Sequence, residues 1–271
     1  MSLIVNDIIN ILENFAPLKF KEDFDNIGLM VGDRNAELKS ILIALDCTLE
    51  VIEEAKAKGC NLIISHHPLL FKKPSTITKD TLLGKKIISL VKNDINLYSS
   101  HTNLDAVING VNHEIMNILG FDNFITLDLS SAASDGDTKT GIGRLATLSE
   151  PRMFNNIISL VKNSLNLSMV RVVGNEEKLI NKIAVINGSG QDYFSLAKKM
   201  GAECIITGDT TYHYVSDFYE EDMCIIDAGH FNTEWPAMKH IAKTIQKLII
   251  NKGFQVELII SDTNKDPYRF K

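Results

Sequence analysis

The chain has few cysteines, prolines and tryptophans. It has four cysteines, six prolines and one tryptophan in 271 residues. The cysteines, Cys47, Cys60, Cys204 and Cys224, lie far apart and form no C-x-x-C pair. They therefore predict buried thiols rather than a disulfide framework. Because the N-terminal stretch is amphipathic and contains acidic residues, unlike a signal peptide, we expect a reducing, cytoplasmic setting.

Long apolar runs and an excess of positive charge are also missing. No apolar run approaches the roughly 18 residues that a membrane span needs. The formal net charge is −6 at pH 7, whereas nucleic-acid-binding proteins usually carry a basic face. The sequence therefore predicts neither a membrane protein nor a nucleic-acid-binding protein. With 45% hydrophobic and 23% charged residues, it is typical of a chain that buries a full core.

Short apolar runs alternate with helical periodicity along nearly the whole chain, which predicts an α/β layered fold. Strands are expected at 41–46, 61–65, 95–100, 141–148, 169–173, 183–187, 203–207, 223–227 and 256–260. The polar segment 130–141 is the predicted linker. It would separate a first α/β domain, 1–129, from a second, 142–271, whose C-terminal helix and strand could pack back on the first.

The sequence also matches itself. A shift of 142 residues lays 27–67 on 169–209 without a gap, with eight identical positions among 41. Gly59 and Gly201 coincide, each after a predicted helix and before a predicted strand, where a helix C-cap needs a positive φ. We therefore expect an internal duplication of one α-β-(βα)₃-like unit with mixed sheets, roughly at 4–119 and 152–252.

One polar sequence motif occurs twice, each time directly after an apolar run. "SSHTNLDAV" (99–107) and "DAGHFNTEW" (227–235) both place a histidine and an acid four residues apart, and the chemically important positions are His101 with Asp105 and His230 with Glu234. Side chains just past the carboxyl ends of strands line the functional crevice of α/β folds. The spacing therefore suits metal ligands, although each acid could instead cap a helix. The asparagines between them, Asn103 and Asn232, are expected to brace the ligand loops.

The stretch "IISHHPLLF" adds His66 and His67 at the end of another predicted strand. An isolated pair could consist of one capping and one exposed histidine. Taken with His101, Asp105, His230 and Glu234, the set is too rich for one catalytic zinc, which usually takes three protein ligands. It suits two divalent ions, and the mixed ligands fit zinc, iron, manganese or cobalt. Such a pair of ions acidifies water and polarises a carbonyl, imine or phosphoryl oxygen, which predicts hydrolysis.

Other polar positions have alternative interpretations. "NGSGQD" (187–192) resembles a phosphate-binding turn but is also ordinary tight-turn sequence. Asp209 and His213 could line the same crevice, or Asp209 could cap a helix. Trp235 is expected to be a core or interface anchor. His113 and His240 fall within helix patterns and are expected to be surface or packing residues.

The motifs together resemble a known family. "DNIGLMVGD", "IISHHPLLF", "SSHTNLDAVINGVN", "INGSGQD", "TGDTTYH" and "DAGHFNTEW" are similar, in order, to the motifs of YbgI-like proteins, the GTP cyclohydrolase I type 2 homologs. The resemblance implies a dinuclear metal site with ligands His66, His67, Asp105, His230 and Glu234, and with His101 close by. It also implies two intertwined α/β repeats and a toroidal homohexamer whose metal sites face an internal cavity. Phe24 stands where many relatives have tryptophan, which we interpret as a packing change.

Two functions follow as hypotheses. The first is a dinuclear metal-dependent hydrolase with His101 as proton shuttle, acting on a small molecule that the resemblance suggests is GTP or a related heterocycle. Lys72, Lys73 or Arg144 would then contact its phosphates. The second is a non-catalytic metal-binding scaffold or adaptor protein.

Overall fold

The computed structural model describes residues 2–269 and 271. The α-helices are α1 (Val5–Phe15), α2 (Leu49–Ala57), α3 (Leu82–Lys92), α4 (Thr102–Ala106), α5 (Val111–Leu119), α6 (Phe154–Ser164), α7 (Phe194–Lys199), α8 (Tyr212–Glu220) and α9 (His230–Asn251). The strands are β1 (Gly28–Val31), β2 (Ser40–Ala44), β3 (Leu62–Ser65), β4 (Asn96–Ser99), β5 (Phe124–Leu129), β6 (Gly141–Met153), β7 (Arg171–Val173), β8 (Leu179–Ser189), β9 (Cys204–Gly208), β10 (Cys224–Asp227) and β11 (Glu257–Ile260). Among the described residues, none of the helices combines the length and the apolar character that crossing a membrane requires.

The chain divides into two compact units. The first comprises Met1–Leu104 and Met238–Lys265, and the second comprises Asp105–Ala237 and Asp266–Lys271. The chain passes from the first unit to the second at residue 104, within α4, and returns at residue 237, within α9.

The first unit contains a sheet in the order β1-β4-β3-β2-β11. Strands β4, β3, β2 and β11 are parallel, and β1 runs antiparallel to β4 at the edge. Apolar residues of β2, β3 and β4 pack against Val51, Ile52 and Ala55 of α2. Helix α2 begins where the Thr48 hydroxyl accepts a hydrogen bond from the Val51 amide, at 3.1 Å, an N-cap that satisfies one of the unpaired helix amides.

The second unit contains a sheet in the order β5-β6-β8-β9-β10-β7. Strands β8, β9 and β10 are parallel, whereas β7, β6 and β5 join by antiparallel pairing. The segment 130–140, where the sequence places the linker, connects the paired strands β5 and β6. Helices α5 and α6 cover this sheet through buried residues such as Ile115, Phe154 and Ile157.

The mixed α/β class predicted from the sequence is confirmed, and four strands in each sheet have the same arrangement. The order β1-β4-β3-β2 matches β7-β10-β9-β8, with three parallel strands and one antiparallel edge strand in each. Gly59 and Gly201 have φ values of 70° and 89°, as their C-cap positions require. This correspondence is what a duplicated unit predicts.

The strand registers show that the second unit has one extra residue before its histidine. Leu62 pairs with Asn96 in the first sheet, and Cys204 pairs with Cys224 in the second. Likewise, the Ser100 amide bonds to the strand β3 at 3.0 Å and the Ala228 amide bonds to β9 at 2.8 Å. Ser100 therefore corresponds to Ala228. His101 follows Ser100 directly, whereas Gly229, with a φ of 87°, stands as an extra residue before His230.

All nine strands predicted from the sequence are present, but β1 and β5 were not predicted. Strand β1 has only four residues and begins at Gly28, a poor strand former. Strand β5 lies at the edge of its sheet and has a partly exposed pattern, which breaks the clean alternation that identifies a half-buried strand.

Candidate metal centre

Three histidines of the first unit lie together past the carboxyl ends of β3 and β4. One nitrogen from each ring lies within 4.8 Å of the others, and the ring centroids are 5.1 to 5.6 Å apart. Adjacent strand residues would point to opposite faces, but His66 and His67 follow the end of β3, so both rings join His101. We refer to His66, His67 and His101 as the histidine cluster.

Each ring of the histidine cluster is held through Nδ1. The oxygens, each 2.9 Å away, are Ser100 O for His66, Asp46 Oδ1 for His67 and Asp25 Oδ1 for His101. Carbonyl and carboxylate oxygens accept hydrogen bonds, so Nδ1 carries the donated proton and Nε2 is the nitrogen that offers a lone pair. This arrangement is characteristic of metal-binding histidines, whose second nitrogen donates to a carboxylate or carbonyl.

Asp25 is held by further donors. Besides His101, it accepts hydrogen bonds from the Thr102 amide at 3.1 Å and the Thr102 hydroxyl at 2.5 Å. Burial acts to raise the pKa of Asp25, but the hydrogen bond and charge of His101 and the Thr102 donors outweigh it and lower the pKa to about 2. Asp25 is therefore ionised near neutral pH and orients the His101 ring.

Asn103 braces the same loop, as predicted. Its side-chain oxygen accepts from the His101 amide at 3.0 Å and the Ser100 hydroxyl at 3.2 Å, while its amide nitrogen donates to Ala16 O at 2.7 Å. All of its polar atoms thus serve to hold the backbone before α4, and the side chain is fully buried. Asn232 acts similarly at the start of α9, where it donates to Ala228 O at 3.0 Å.

The second unit carries the other predicted ligands. His230 and Glu234 occupy successive turns at the start of α9, and His230 Nε2 lies 3.1 Å from Glu234 Oε2. His230 Nδ1 lies 2.7 Å from Asp209 Oδ2, so this ring is also held through Nδ1 by an oxygen. Asp209 therefore lies in the crevice as one sequence interpretation predicted, and its role is to orient His230 rather than to cap α8.

Asn187 links the two acids of the second unit. Its side-chain nitrogen donates to Asp105 Oδ1 at 3.0 Å and to Glu234 Oε1 at 3.3 Å. Asp105 and Glu234 are both buried, and two carboxylates so close together repel unless a cation compensates them. We refer to Asp105, His230 and Glu234 as the acidic cluster.

The turn after Asn187 allows the backbone to approach the acidic cluster closely. A Cβ on Gly188 would lie 2.2 Å from Glu234 Oε1 and 3.3 Å from His230 Nε2, and the φ of Gly188 is 59°. Only glycine fits both the space and the backbone conformation. The "NGSGQD" segment therefore belongs to the site as the wall beside Glu234, whereas the sequence offered a phosphate-binding turn or an ordinary tight turn.

Arg144 is buried within the second unit, so the prediction that it contacts a phosphate at the surface is wrong. It is 2% exposed, and its guanidinium donates to the carbonyls of Gly141 and Gly143 at 2.8 and 2.7 Å and, more weakly, to those of Ala106 and Val107 at 3.4 and 3.5 Å. Burial lowers its pKa to about 10, although the Asp105 charge opposes this. Arg144 thus ties β6 to the segment that follows Asp105.

Other sequence candidates are not members of these clusters. His213 and His240 are exposed, and His113 is half-buried with its ring 5.2 Å from that of Phe124. Trp235 is buried, as expected of a core anchor. All four cysteines are free and buried, as predicted, and burial raises the pKa of Cys47 to about 12. Among the described residues, none of the cysteines belongs to a group that could hold a metal ion.

Four residues of the site were not identified as such from the sequence: Asp25, Asp46, Asn187 and Gly188. Asp25 and Asn187 act on partners distant in the chain, because Asp25 and His101 are 76 positions apart and Asn187 and Asp105 are 82 positions apart. Asp46 and Asn187 are the last residues of predicted strands. The histidines were selected because they lie at or just past strand ends. That signal could have identified Asp46 and Asn187.

Comparison with known proteins identifies a family. The family model Duf34/NIF3 (NGG1p interacting factor 3) matches residues 3–267. A Clostridium acetobutylicum protein named GTP cyclohydrolase 1 type 2 homolog is 52% identical over 271 residues, covering 100% of both chains. A Clostridium perfringens protein of the same name is 53% identical over 266 residues, covering 98% of this chain and 99% of its own.

A solved structure shows the same fold. The Bacillus cereus protein related to NIF3 superimposes with a TM-score of 0.93 at 26% identity, covering 100% of both chains. The family model spans nearly the whole chain, and the clostridial relatives match it from end to end. The chain therefore belongs to the Duf34/NIF3 family, as the resemblance to YbgI-like proteins predicted.

Proposed function

We propose that the histidine cluster and the acidic cluster together hold two divalent metal ions. The observation that carries this proposal is that all four imidazoles, those of His66, His67, His101 and His230, have Nδ1 held by an oxygen. This fixes Nε2 as the donor atom in every ring. The continuous chain supports joining the clusters, because His101 and Asp105 are four residues apart around α4.

The donor set fits such ions. Four imidazole nitrogens and the carboxylates of Asp105 and Glu234 are ligands that zinc, iron, manganese and cobalt all accept, so the residues do not select one of them. Asn187 donates to both buried carboxylates and so holds them in the orientation in which they would bind a cation. The sequence prediction makes His101 a proton shuttle. Because its Nδ1 bond to Asp25 equals that of His67 to Asp46, we extend the proposed ligand set to include His101 Nε2.

The proposed reaction is hydrolysis of a small molecule. When bound, the ions would supply a Lewis acid and lower the pKa of water toward neutrality. The chain's own residues orient the donors: Asp25 and Asp46 keep the protons on Nδ1 of His101 and His67, and Asn187 holds the two carboxylates together. Relatives that are named GTP cyclohydrolase 1 type 2 homolog support a purine nucleotide or related heterocycle as the substrate class.

The experiment combines metal analysis with turnover. Elemental analysis of the purified chain should give two equivalents of metal, and the metal-loaded protein should hydrolyse at least one member of a panel of nucleotides, amides, imines and phosphoesters. Glu234→Ala should lose metal and activity together, whereas His213→Ala, which removes an exposed histidine outside both clusters, should keep both. Activity that survives the loss of Glu234 would exclude this site as the catalytic one.

The second candidate is a non-catalytic metal-binding scaffold or adaptor. The family description names an interacting factor, which favours a protein-binding role in at least one member. In this case the chain would bind and release metal reversibly but turn over no compound in the panel. A pH-dependent hydrolytic rate that disappears in Glu234→Ala would reject this alternative.

Two further proposals concern the setting of the protein. The resemblance to YbgI-like proteins supports a toroidal homohexamer, which sedimentation velocity of the purified chain would test by its mass. Four buried free thiols support a reducing, cytoplasmic location. Fractionation of cells that express the chain would test the location.

A further inference from the structure

Two aromatic side chains on the loops that carry Asp25 and His67 are exposed. Phe24 is 65% exposed and Phe71 45% exposed, and their ring centroids are 6.2 Å apart with the ring planes at 60°. The sequence interpretation of Phe24 as a packing change stays a prediction, and in the structure most of its surface faces solvent while its ring contacts Phe71. Single exposed apolar side chains are ordinary, but adjacent exposed aromatic rings mark binding surfaces more often.

The loops that carry the aromatic pair also carry the site. Phe24 directly precedes Asp25, which holds His101, and Phe71 follows His67 by four residues. The side chain of Asn26 donates to Leu70 O at 2.6 Å and so ties the two loops together. The two rings therefore belong to the loops that carry Asp25 and His67, and the segment 71–82 is exposed.

The segment after the histidines is locally basic in an acidic chain. From Pro68 to Lys79 its charged residues are Lys72, Lys73 and Lys79, and the first acid is Asp80. Lys72 and Lys73 are exposed, and within residues 2–269 neither forms an ion pair. Since the whole chain has a net charge of −6, this local excess of positive charge favours an anion at the rim.

We infer that Phe24 and Phe71 pack against a planar heteroaromatic ring, one by its face and the other by its edge, and that Lys72 and Lys73 bind an anionic group of the same molecule. Aromatic side chains that contact bases and basic residues that bind phosphate are the elements with which proteins bind single-stranded nucleic acids, and the same two contacts suit one nucleotide. Glu22 and Asp23 precede Phe24, whereas Lys72 and Lys73 follow Phe71 directly, so the lysines are the charged groups beside the pair that suit an anion. The inference rests on the proposed function and names the residues that select its substrate class.

The experiment measures binding rather than turnover. Guanosine 5′-monophosphate, guanosine and inorganic phosphate are titrated by calorimetry into chelator-treated and into metal-loaded protein. The nucleotide should bind more tightly than either fragment. The double variant Phe24→Ala/Phe71→Ala should weaken nucleotide and guanosine binding at least about tenfold. Lys72→Ala/Lys73→Ala should weaken nucleotide binding but leave guanosine binding unchanged.

Matched variants and an assembly measurement give the refuting outcomes. Tyr268→Ala removes another exposed aromatic ring and should leave nucleotide binding unchanged. Nucleotide affinity that persists in the phenylalanine double variant would overturn the inference. The inference would also be overturned if the phenylalanine double variant bound the nucleotide like the parent but had a different mass in sedimentation. The aromatic pair would then be a contact between copies of the chain. If the chain binds no metal yet its nucleotide affinity still depends on the pair, the proposed function fails and the inference stands.

Discussion

Replacing Glu54 by glutamine should destabilise the first unit without touching either ligand cluster. Glu54 projects from α2 and accepts hydrogen bonds from Lys58 at 2.7 Å, Ser261 at 2.5 Å and the Asp262 amide at 2.9 Å. It also accepts from the hydroxyl and amide of Thr263, at 2.7 and 3.3 Å. One buried carboxylate thus fastens the segment after β11 to α2.

The magnitude follows from the pKa. Burial acts to raise the pKa of Glu54, but the hydrogen bonds, led by that from Lys58, outweigh it and lower the pKa from an ordinary 4.5 to about 2. Each unit corresponds to about 1.4 kcal/mol, so the ionised side chain stabilises the folded chain by about 3 kcal/mol at pH 7. Because the folded pKa is depressed, this stabilisation is complete above pH 4.5 and is lost as the pH falls from 4.5 toward 2.

Urea unfolding followed by far-ultraviolet circular dichroism provides the assay. Glu54→Gln should lower the free energy of unfolding by about 3 kcal/mol at pH 7, and the difference from the parent should shrink by about 1 kcal/mol at pH 3.5. Amide hydrogen exchange at Asp262 and Thr263 should accelerate. The matched control is Glu53→Gln, because Glu53 is exposed and lies 3.9 Å from Lys56, and this change should cost no more than about 0.5 kcal/mol.

The reasoning would be refuted if the two variants were equally stable at pH 7. It would also be refuted if the effect of Glu54→Gln were the same at pH 7 and pH 3.5, because the stabilisation would then not depend on ionisation.

Two further predictions concern the clusters. Asp25→Asn should weaken metal binding by about 10- to 100-fold, because an amide orients the His101 imidazole less firmly than a carboxylate. Competition with a chromophoric chelator measures this, and the exposed Asp23→Asn should bind metal like the parent. Gly188→Ala should lose metal through the 2.2 Å clash with the Glu234 carboxylate, whereas Gly253→Ala, which has a φ of 84° but open space around its Cβ, should cost about 1 kcal/mol of stability and keep its metal. Equal metal loss in both glycine variants would attribute the effect to backbone strain.

The sequence predicted the parts of the molecule that rest on local patterns. Alternating strands and helices gave the α/β class, and the C-caps at Gly59 and Gly201 appeared where the repeat required positive φ. His66, His67 and His101 could be grouped because each follows a strand, and the carboxyl ends of parallel strands share one edge of a sheet. These inferences need no knowledge of tertiary contacts.

The remaining features depend on contacts that a local pattern does not encode. Nothing around Asp25 indicates that it holds a histidine 76 residues later. Arg144 looked like a surface cation because arginine is rarely buried, yet four carbonyl oxygens accept its hydrogen bonds inside the second unit. The two histidine motifs align well when His101 is placed on His230, and this alignment hides the extra residue Gly229. The extra residue is seen only from the strand register, in which Ser100 corresponds to Ala228.

The oxygens that hold the imidazole Nδ1 atoms also determine when the side chains lose their rotamer freedom. Ordering a side chain costs conformational entropy, on the order of 1 kcal/mol for each. Here the rings of His66, His67, His101 and His230 are oriented by hydrogen bonds that form as the chain folds. The cost therefore falls on folding and not on metal capture. Within each unit, the metal-depleted and metal-loaded rings should share one set of χ angles, and metal exchange should proceed without unfolding.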